Sequence, residues 1–223
     1  MIKKVFLTLC LFYFALFINV QSAANGQISN LKTVKNHTSG KNNDDNFEII
    51  CDSIYKNKGY KLSLSVFDSS SDDENIPNTL FTLSKFRNGK YLPIFSDSIF
   101  NSVQSISFVD FNNDKVKDIL VQNYSDVRSN WSYHLYLINI NKDKLKKVKG
   151  FETIRNPNYL PQYGLIDNYV LSGTNWTNFY KITGDSIKDF NMIIYDNQNE
   201  NGVYNREYQR AINKIRRKIK NKR

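Results

Sequence analysis

The chain has 223 residues, a formal charge of +10 and 14% aromatic side chains. That length, less an N-terminal stretch with the look of a removable leader, suits one domain with an ordinary core. There is no glycine-rich phosphate loop, no H-E-x-x-H, no G-x-S-x-G and no Cys/His metal cluster, so the enzyme classes built on those motifs are set aside.

Lys3 and Lys4 are followed by an apolar run from Val5 to Val20 and by the small residues Ser22, Ala23 and Ala24. This is the layout of a secretory signal peptide over 1–24, cleaved after Ser22 or Ala24, and it predicts an exported, periplasmic or secreted protein. An uncleaved anchor is the alternative, although the run falls short of the roughly 18 to 20 residues a spanning helix needs. Cys10 has Leu9 where lipid attachment requires a small residue, so lipidation is rejected. With the signal removed, Cys51 is the only cysteine and no internal disulfide can form. It lies in the apolar run FEIICDS and reads as a small buried hydrophobe. Residues 25–45 are polar without a periodic face and read as a flexible leader.

A β domain is expected over 46–198. Phe47 to Cys51 is its first strand, and Tyr60, Leu62, Leu64 and Val66 alternate with polar residues as its second. SSSDDEN at 69–75 reads as a solvated acidic turn. Leu80 to Phe86 and Tyr91 to Phe95 form a hairpin across Asn88-Gly89, a pair suited to positive φ.

Next comes the segment from Val103 to Asn123, where Asp110, Asn112, Asp114 and Asp118 stand at positions 1, 3, 5 and 9 between two apolar runs. Oxygen ligands at that spacing suit calcium, with Val116 donating its backbone carbonyl from position 7. Position 6 is Lys115 rather than glycine and position 12 is Val121 rather than glutamate. The same residues also suit an Asx-type turn without an ion.

The pattern FVDFNNDKVKDILV resembles the calcium loop of FG-GAP and VCBS-type repeat proteins, which implies an extracellular β-rich module with calcium as its cofactor. A single copy of the loop argues against a full repeat array.

Beyond the loop, Ile119 to Val121 and Tyr133 to Ile140 predict strands joined by the polar segment NYSDVRSNWS. Arg128 and Trp131 in that segment are candidate partner-binding residues, and an ordinary long connection is the competing reading. His134 alternates with apolar positions and reads as structural. Asn141–Lys144 closes a further hairpin into Leu145–Val148, and the Pro157- and Pro161-bearing stretch over 150–164 is expected to be irregular. Leu165–Leu171, Trp176–Ile182 and Ile187–Tyr195 then predict a three-stranded meander. The fold class expected is all-β, an antiparallel meander forming a sandwich or propeller-like assembly, with a C-terminal basic amphipathic helix.

The order of YHLYLIN, KGF, NP, SGTNW and FYKITGDSIKDF over roughly residues 100 to 195 is similar to small secreted bacterial lysozyme-inhibitor proteins, some of them calcium-dependent. The resemblance implies a non-catalytic module that docks a lysozyme-type hydrolase or a cell-wall glycan. A related inhibitor class places an S-G-x-x-Y loop in the hydrolase cleft, and the matching positions here are Ser172, Gly173 and Trp176. Tyr has become Trp, and the second family motif survives only as Thr183-Gly184. By turn chemistry alone, SGTN is a hairpin turn. The alternatives to a docking module are a cell-envelope hydrolase using paired carboxylates and an adhesion-type module.

The tail over 199–223 changes character. From Asn205 onward nine basic residues stand against Glu207, for +8, and Lys3 and Lys4 supply the remaining +2 of the net charge. Tyr208, Ile212, Ile215 and Ile219 recur at helical spacing. Two readings stay open: contact with an anionic surface or acidic partner, or a helix seated on the sheet by its isoleucine seam. Nucleic acid is not expected as a partner of an exported chain.

Overall fold

The computed structural model describes residues 46–70, 72–197 and 202–221, so the signal peptide and leader expected over 1–45 lie outside the described residues. The described chain is mostly β, in four antiparallel sheets with one C-terminal helix, and none of the sheets closes into a barrel.

The first sheet takes β1 (Asn46–Ile50), β2 (Tyr60–Val66), β3 (Thr79–Arg87) and β4 (Lys90–Ile99) in sequence order. In β2 the alternating Tyr60, Leu62 and Leu64 are the buried residues, as a half-buried strand requires. The β3–β4 hairpin turns at Asn88 (φ 52°) and Gly89 (φ 80°), the paired positive angles of a two-residue turn whose twist matches its strands. The second sheet repeats the pattern with β5 (Ile106–Val109), β6 (Asp118–Ser125), β7 (Trp131–Asn139) and β8 (Lys144–Lys147).

Strand β6 is buried along its first six residues. Ile119 and Val121 pack with Leu62, Leu64, Phe81 and Leu83 of the first sheet, whereas Leu120 faces the other way into a cluster with Leu135, Val148, Phe151 and Ile166. Successive side chains of a strand point to opposite faces, so the second sheet is an inner layer covered on both sides. The architecture is therefore sandwich-like. Aromatic rings lock both contacts, with Tyr136 stacked on Phe81 at 4.5 Å and Phe111 edge-on to Phe151 at 5.3 Å. Cys51 is fully buried and burial pushes its thiol up to about 12, while burial holds His134 neutral by pulling it down to about 4.

The C-terminal part departs from the simple meander. Residues 157–160 of the stretch expected to be irregular form strand β9 (Pro157–Leu160), paired with β10 (Leu165–Asn168). Pro157 stands at the first position of its strand, where proline is tolerated. The expected strand over 176–182 is broken at Asn178 into β11 (Asn175–Thr177) and β12 (Phe179–Thr183), and the next one divides into β13 (Ser186–Asp189) and β14 (Ile194–Asp196). Asn178 causes the break: its Oδ1 accepts the amides of Phe179 at 2.8 Å and Met192 at 2.9 Å, and its Nδ2 donates to Asp189 at 2.9 Å. Strands β12 and β13 join β10 and β9 in the third sheet, while β11 pairs with β14 and meets Val170 through an antiparallel bridge at Trp176.

Helix α1 (Val203–Lys220) seats Ala211, Ile212 and Ile215 against Leu165 and Phe179. Two tyrosines add polar fastenings, Tyr204 to the Thr177 hydroxyl at 2.7 Å and Tyr208 donating to Asp167 Oδ2. The isoleucine seam expected of the tail is thus seated on the sheet.

Asp167 is 8% exposed, and burial pushes it up to about 6 against the lowering effect of its hydrogen bonds from Tyr208 and Asn158. A pKa raised on folding means the folded chain holds the proton more tightly, so this stabilisation is complete below about pH 4 and lost as pH rises through about 6. The unfolding free-energy difference between wild type and Asp167→Asn should therefore shift by roughly 2–3 kcal/mol against the wild type between about pH 4 and pH 7. Denaturant unfolding across that range measures it; a difference independent of pH contradicts the assignment.

Candidate functional site

The segment 110–117 is a tight turn wound around its own carboxylates. Asp110 Oδ1 accepts the amides of Asn112 at 3.2 Å and Asn113 at 2.6 Å, and its Oδ2 accepts that of Lys115 at 2.9 Å. Asp114 Oδ1 accepts the Val116 amide at 2.8 Å, and Asn112 Oδ1 accepts the Asp114 amide at 2.9 Å. Asn113 (φ 62°) and Lys115 (φ 69°) take left-handed conformations, so Lys115 fills the place of the usual glycine while its side chain stays exposed.

Asp118 differs from the other three ligand candidates. It is the first residue of β6 rather than part of the turn, and it is fully buried. Its Oδ2 accepts the Phe111 amide at 2.9 Å, and its Oδ1 accepts the Ile138 amide of the neighbouring strand at 3.3 Å. Burial pushes it up to about 7 despite those two amides, and the charges of Asp114 and Asp110 add to the rise. A buried carboxylate with two anionic neighbours is costly without a compensating charge.

As a donor set these residues fit a hard cation: all are oxygen ligands, and both oxygens of Asp114 and of Asp118 accept a single hydrogen bond each, leaving lone pairs free. In the arrangement present, however, no group of three or more Asp, Glu, His or Cys side chains among the described residues converges closely enough to hold a metal. Asn112 Nδ2 donates to Asp114 Oδ2 at 2.9 Å, so an ion would have to displace that amide.

The candidate partner residues lie at the other end of the second sheet. Arg128 is exposed on the loop between β6 and β7, and Trp131 begins β7 half-buried. Asp126 shapes the loop by accepting the amides of Arg128 at 2.9 Å and Asn130 at 3.0 Å. Hydrogen bonds from the Asn130 side chain hold Asp126 below its ordinary range, helped by those amides and by Arg155 at 3.1 Å. Val127 projects from the tip wholly exposed.

Ser172, Gly173 and Trp176 belong to the turn into β11. The Ser172 amide bonds Asn175 Oδ1 at 3.0 Å and its hydroxyl donates to the Thr174 carbonyl; Trp176 pairs with Tyr195 of β14. Gly173 is exposed with open space around it.

Asn130, which the sequence reading passed over, ties the two loops together. Its Nδ2 donates to Asp126 at 2.8 Å and to the Leu171 carbonyl at 2.9 Å; its Oδ1 accepts the Leu171 amide at 2.8 Å and the Asn156 side chain at 3.0 Å. Asn156 extends the knot to the Tyr169 carbonyl at 2.9 Å and the Trp131 amide at 2.8 Å. The five candidate residues thus sit on one fastened pair of loops. Only the placement of asparagines beside loop residues hinted at this, since partners 26 and 41 residues away leave no local pattern.

A surface hollow of about 650 Å³ beside the acidic turn is lined by Asp114 as its single carboxylate, together with Asn139, Lys144 and Lys146; a second, on α1, has no carboxylate lining it.

No family model and no curated protein matches this chain. A solved structure described as a Xanthomonas type IV secretion system related protein aligns with a TM-score of 0.44 and 14% identity, over 73% of this chain and 87% of that one. A likeness at that level carries no argument here. No described helix is long and apolar enough to cross a membrane.

Asn130→Ala should lower stability by about 3 kcal/mol, because it removes at once the four hydrogen bonds to Asp126, Asn156 and the Leu171 backbone, at about 1 kcal/mol or a little less each. Asn130→Asp should fail to restore it, since a carboxylate cannot donate to Leu171 and would face Asp126. Denaturant unfolding tests both, and an alanine loss under about 1 kcal/mol contradicts the knot.

Proposed function

We propose that this chain is an exported, non-catalytic β module that docks a protein or glycan partner, with a calcium ion at Asp110, Asn112, Asp114, Val116 and Asp118. Its sharpest form is an inhibitor of lysozyme-type peptidoglycan hydrolases. The observation that carries the docking role is the Asn130 knot, which fastens the 126–131 and 169–176 loops into one surface bearing Arg128, Trp131, Ser172, Gly173 and Trp176. A fastened surface loses less conformational entropy on binding than free loops do.

In this reading calcium lies away from the docking surface. The acidic turn and the recognition loops stand at opposite ends of β6, about 23 Å apart at the rise of an extended strand. The ion therefore neutralises the buried Asp118 and steadies the inner sheet, while the asparagine knot fixes the docking loops. A propeller-like arrangement and kinship with FG-GAP or VCBS modules belong to this proposal, supported by the repeated four-stranded meander with the acidic turn between β5 and β6. The hydrolase alternative wants two carboxylates across a cleft, and neither hollow described above supplies the pair.

Melting curves with calcium, magnesium and chelator should show a rise in Tm specific to calcium, lost in Asp118→Asn. In lysis assays against a panel of lysozymes, the folded protein should slow at least one enzyme, and Arg128→Ala combined with Trp176→Ala should abolish the effect without lowering Tm. Chelation at temperatures well below Tm should leave inhibition largely intact. Equal melting under all three conditions overturns the calcium assignment; lysis unaffected across the panel overturns the inhibitor role.

A further inference from the structure

The basic face of α1 has no part in the calcium turn or the docking loops. At about 100° per residue, Tyr204, Tyr208, Ala211, Ile212, Ile215 and Ile219 form one side of the helix, the side seated on the third sheet. Arg206, Arg210, Arg217 and Lys220 fall within about 50° of the opposite direction, with Lys214 and Arg216 flanking them. All six are exposed. They extend along about 21 Å of helix axis, between Arg206 and Lys220.

Little on this side offsets the charge. Glu207 is the only acid in the helix and pairs with Arg210 at 2.5 Å, the only carboxylate ion pair of α1 among the described residues. The acids beneath are engaged elsewhere, Asp167 by Tyr208 and Asn158, Asp189 by Asn178 and Asp196 by Tyr169. Arg216 lies over the Tyr163 ring at 5.7 Å.

We infer that the outward face of α1 is a docking surface for an anionic phospholipid bilayer, engaged through headgroup phosphates while the helix stays seated on its sheet. Two features favour a bilayer. The cations occupy a broad arc along a straight axis, which a flat surface can touch all at once, and a shallow hollow between Asn213, Arg216, Arg217 and Lys220 opens on the same face for headgroups. The apolar seam is buried in the fold, so binding is electrostatic adhesion without insertion, unlike that of a free amphipathic helix. It is independent of the calcium and docking proposal.

The test is co-sedimentation of the full chain with phosphatidylglycerol-containing vesicles and with pure phosphatidylcholine vesicles, at low and high salt. The apolar stretch at 5–20 is common to every variant, so the readout is the difference between variants and between lipids. Binding should prefer the anionic vesicles and fall steeply with salt. Combining Arg206→Gln, Arg210→Gln, Arg217→Gln and Lys220→Gln should lower partitioning by about 100-fold or more, at about fivefold per cation. The variant's melting and lysis inhibition should match wild type, which separates this result from failure of the docking proposal. Amide exchange at Ile212 and Ile215 should stay slow on the vesicle. Equal binding by the variant, no preference for anionic lipid, or binding of soluble polyphosphate without binding to vesicles overturns the proposal. Loss of Ile212 and Ile215 protection on vesicles overturns the seated geometry.

Discussion

Covering both faces of β6 places a particular demand on its first residue. Ile119 and Val121 belong to one core and Leu120 to the other, so Asp118, at the head of the same strand, has its carboxylate in the interior. That carboxylate holds the acidic turn by the Phe111 amide and the next strand by the Ile138 amide. Two backbone amides are a partial answer to the burial of a charge, and the raised pKa of about 7 records the shortfall. In the proposed reading a divalent cation on the Asp110 side of the turn would supply the compensation.

The same strand separates the molecule's two specialised ends. At the Asp118 end the geometry concerns buried charge; at the Ser125 end it concerns asparagine amides that bind one loop to another. Asn130 and Asn156 suit that task because each amide side chain both donates and accepts, and so can satisfy carbonyl and N–H groups together. Asn178 does similar work where β11 and β12 part. Irregular backbone is fixed in this domain largely by asparagine and aspartate side chains, while regular strands are fixed by apolar alternation.

That division explains what could be read from the sequence. The β2 alternation, the Asn88-Gly89 hairpin, the acidic turn and the isoleucine seam of α1 are local patterns with short periods, and the structure places them where those patterns indicate. The break at Asn178, the strand beginning at Pro157 and the union of the 126–131 and 169–176 loops rest on hydrogen bonds between distant residues. Local periodicity carries no record of them, so the C-terminal meander was read as simpler than it is. The burial of Asp118 is hidden for a related reason, since the spacing that makes it a ligand candidate does not reveal that its strand is covered on both faces.

The measurement that bears most directly on this account is a crystal structure of the protein grown with calcium, with the ion located by its anomalous signal. The account predicts one ion within about 2.3–2.6 Å of oxygens from Asp110, Asn112, Asp114 and Asp118 and of the Val116 carbonyl, with the Asn112 amide displaced from Asp114. An acidic turn free of metal at saturating calcium, with Asp118 still bonded only to the Phe111 and Ile138 amides, would contradict it.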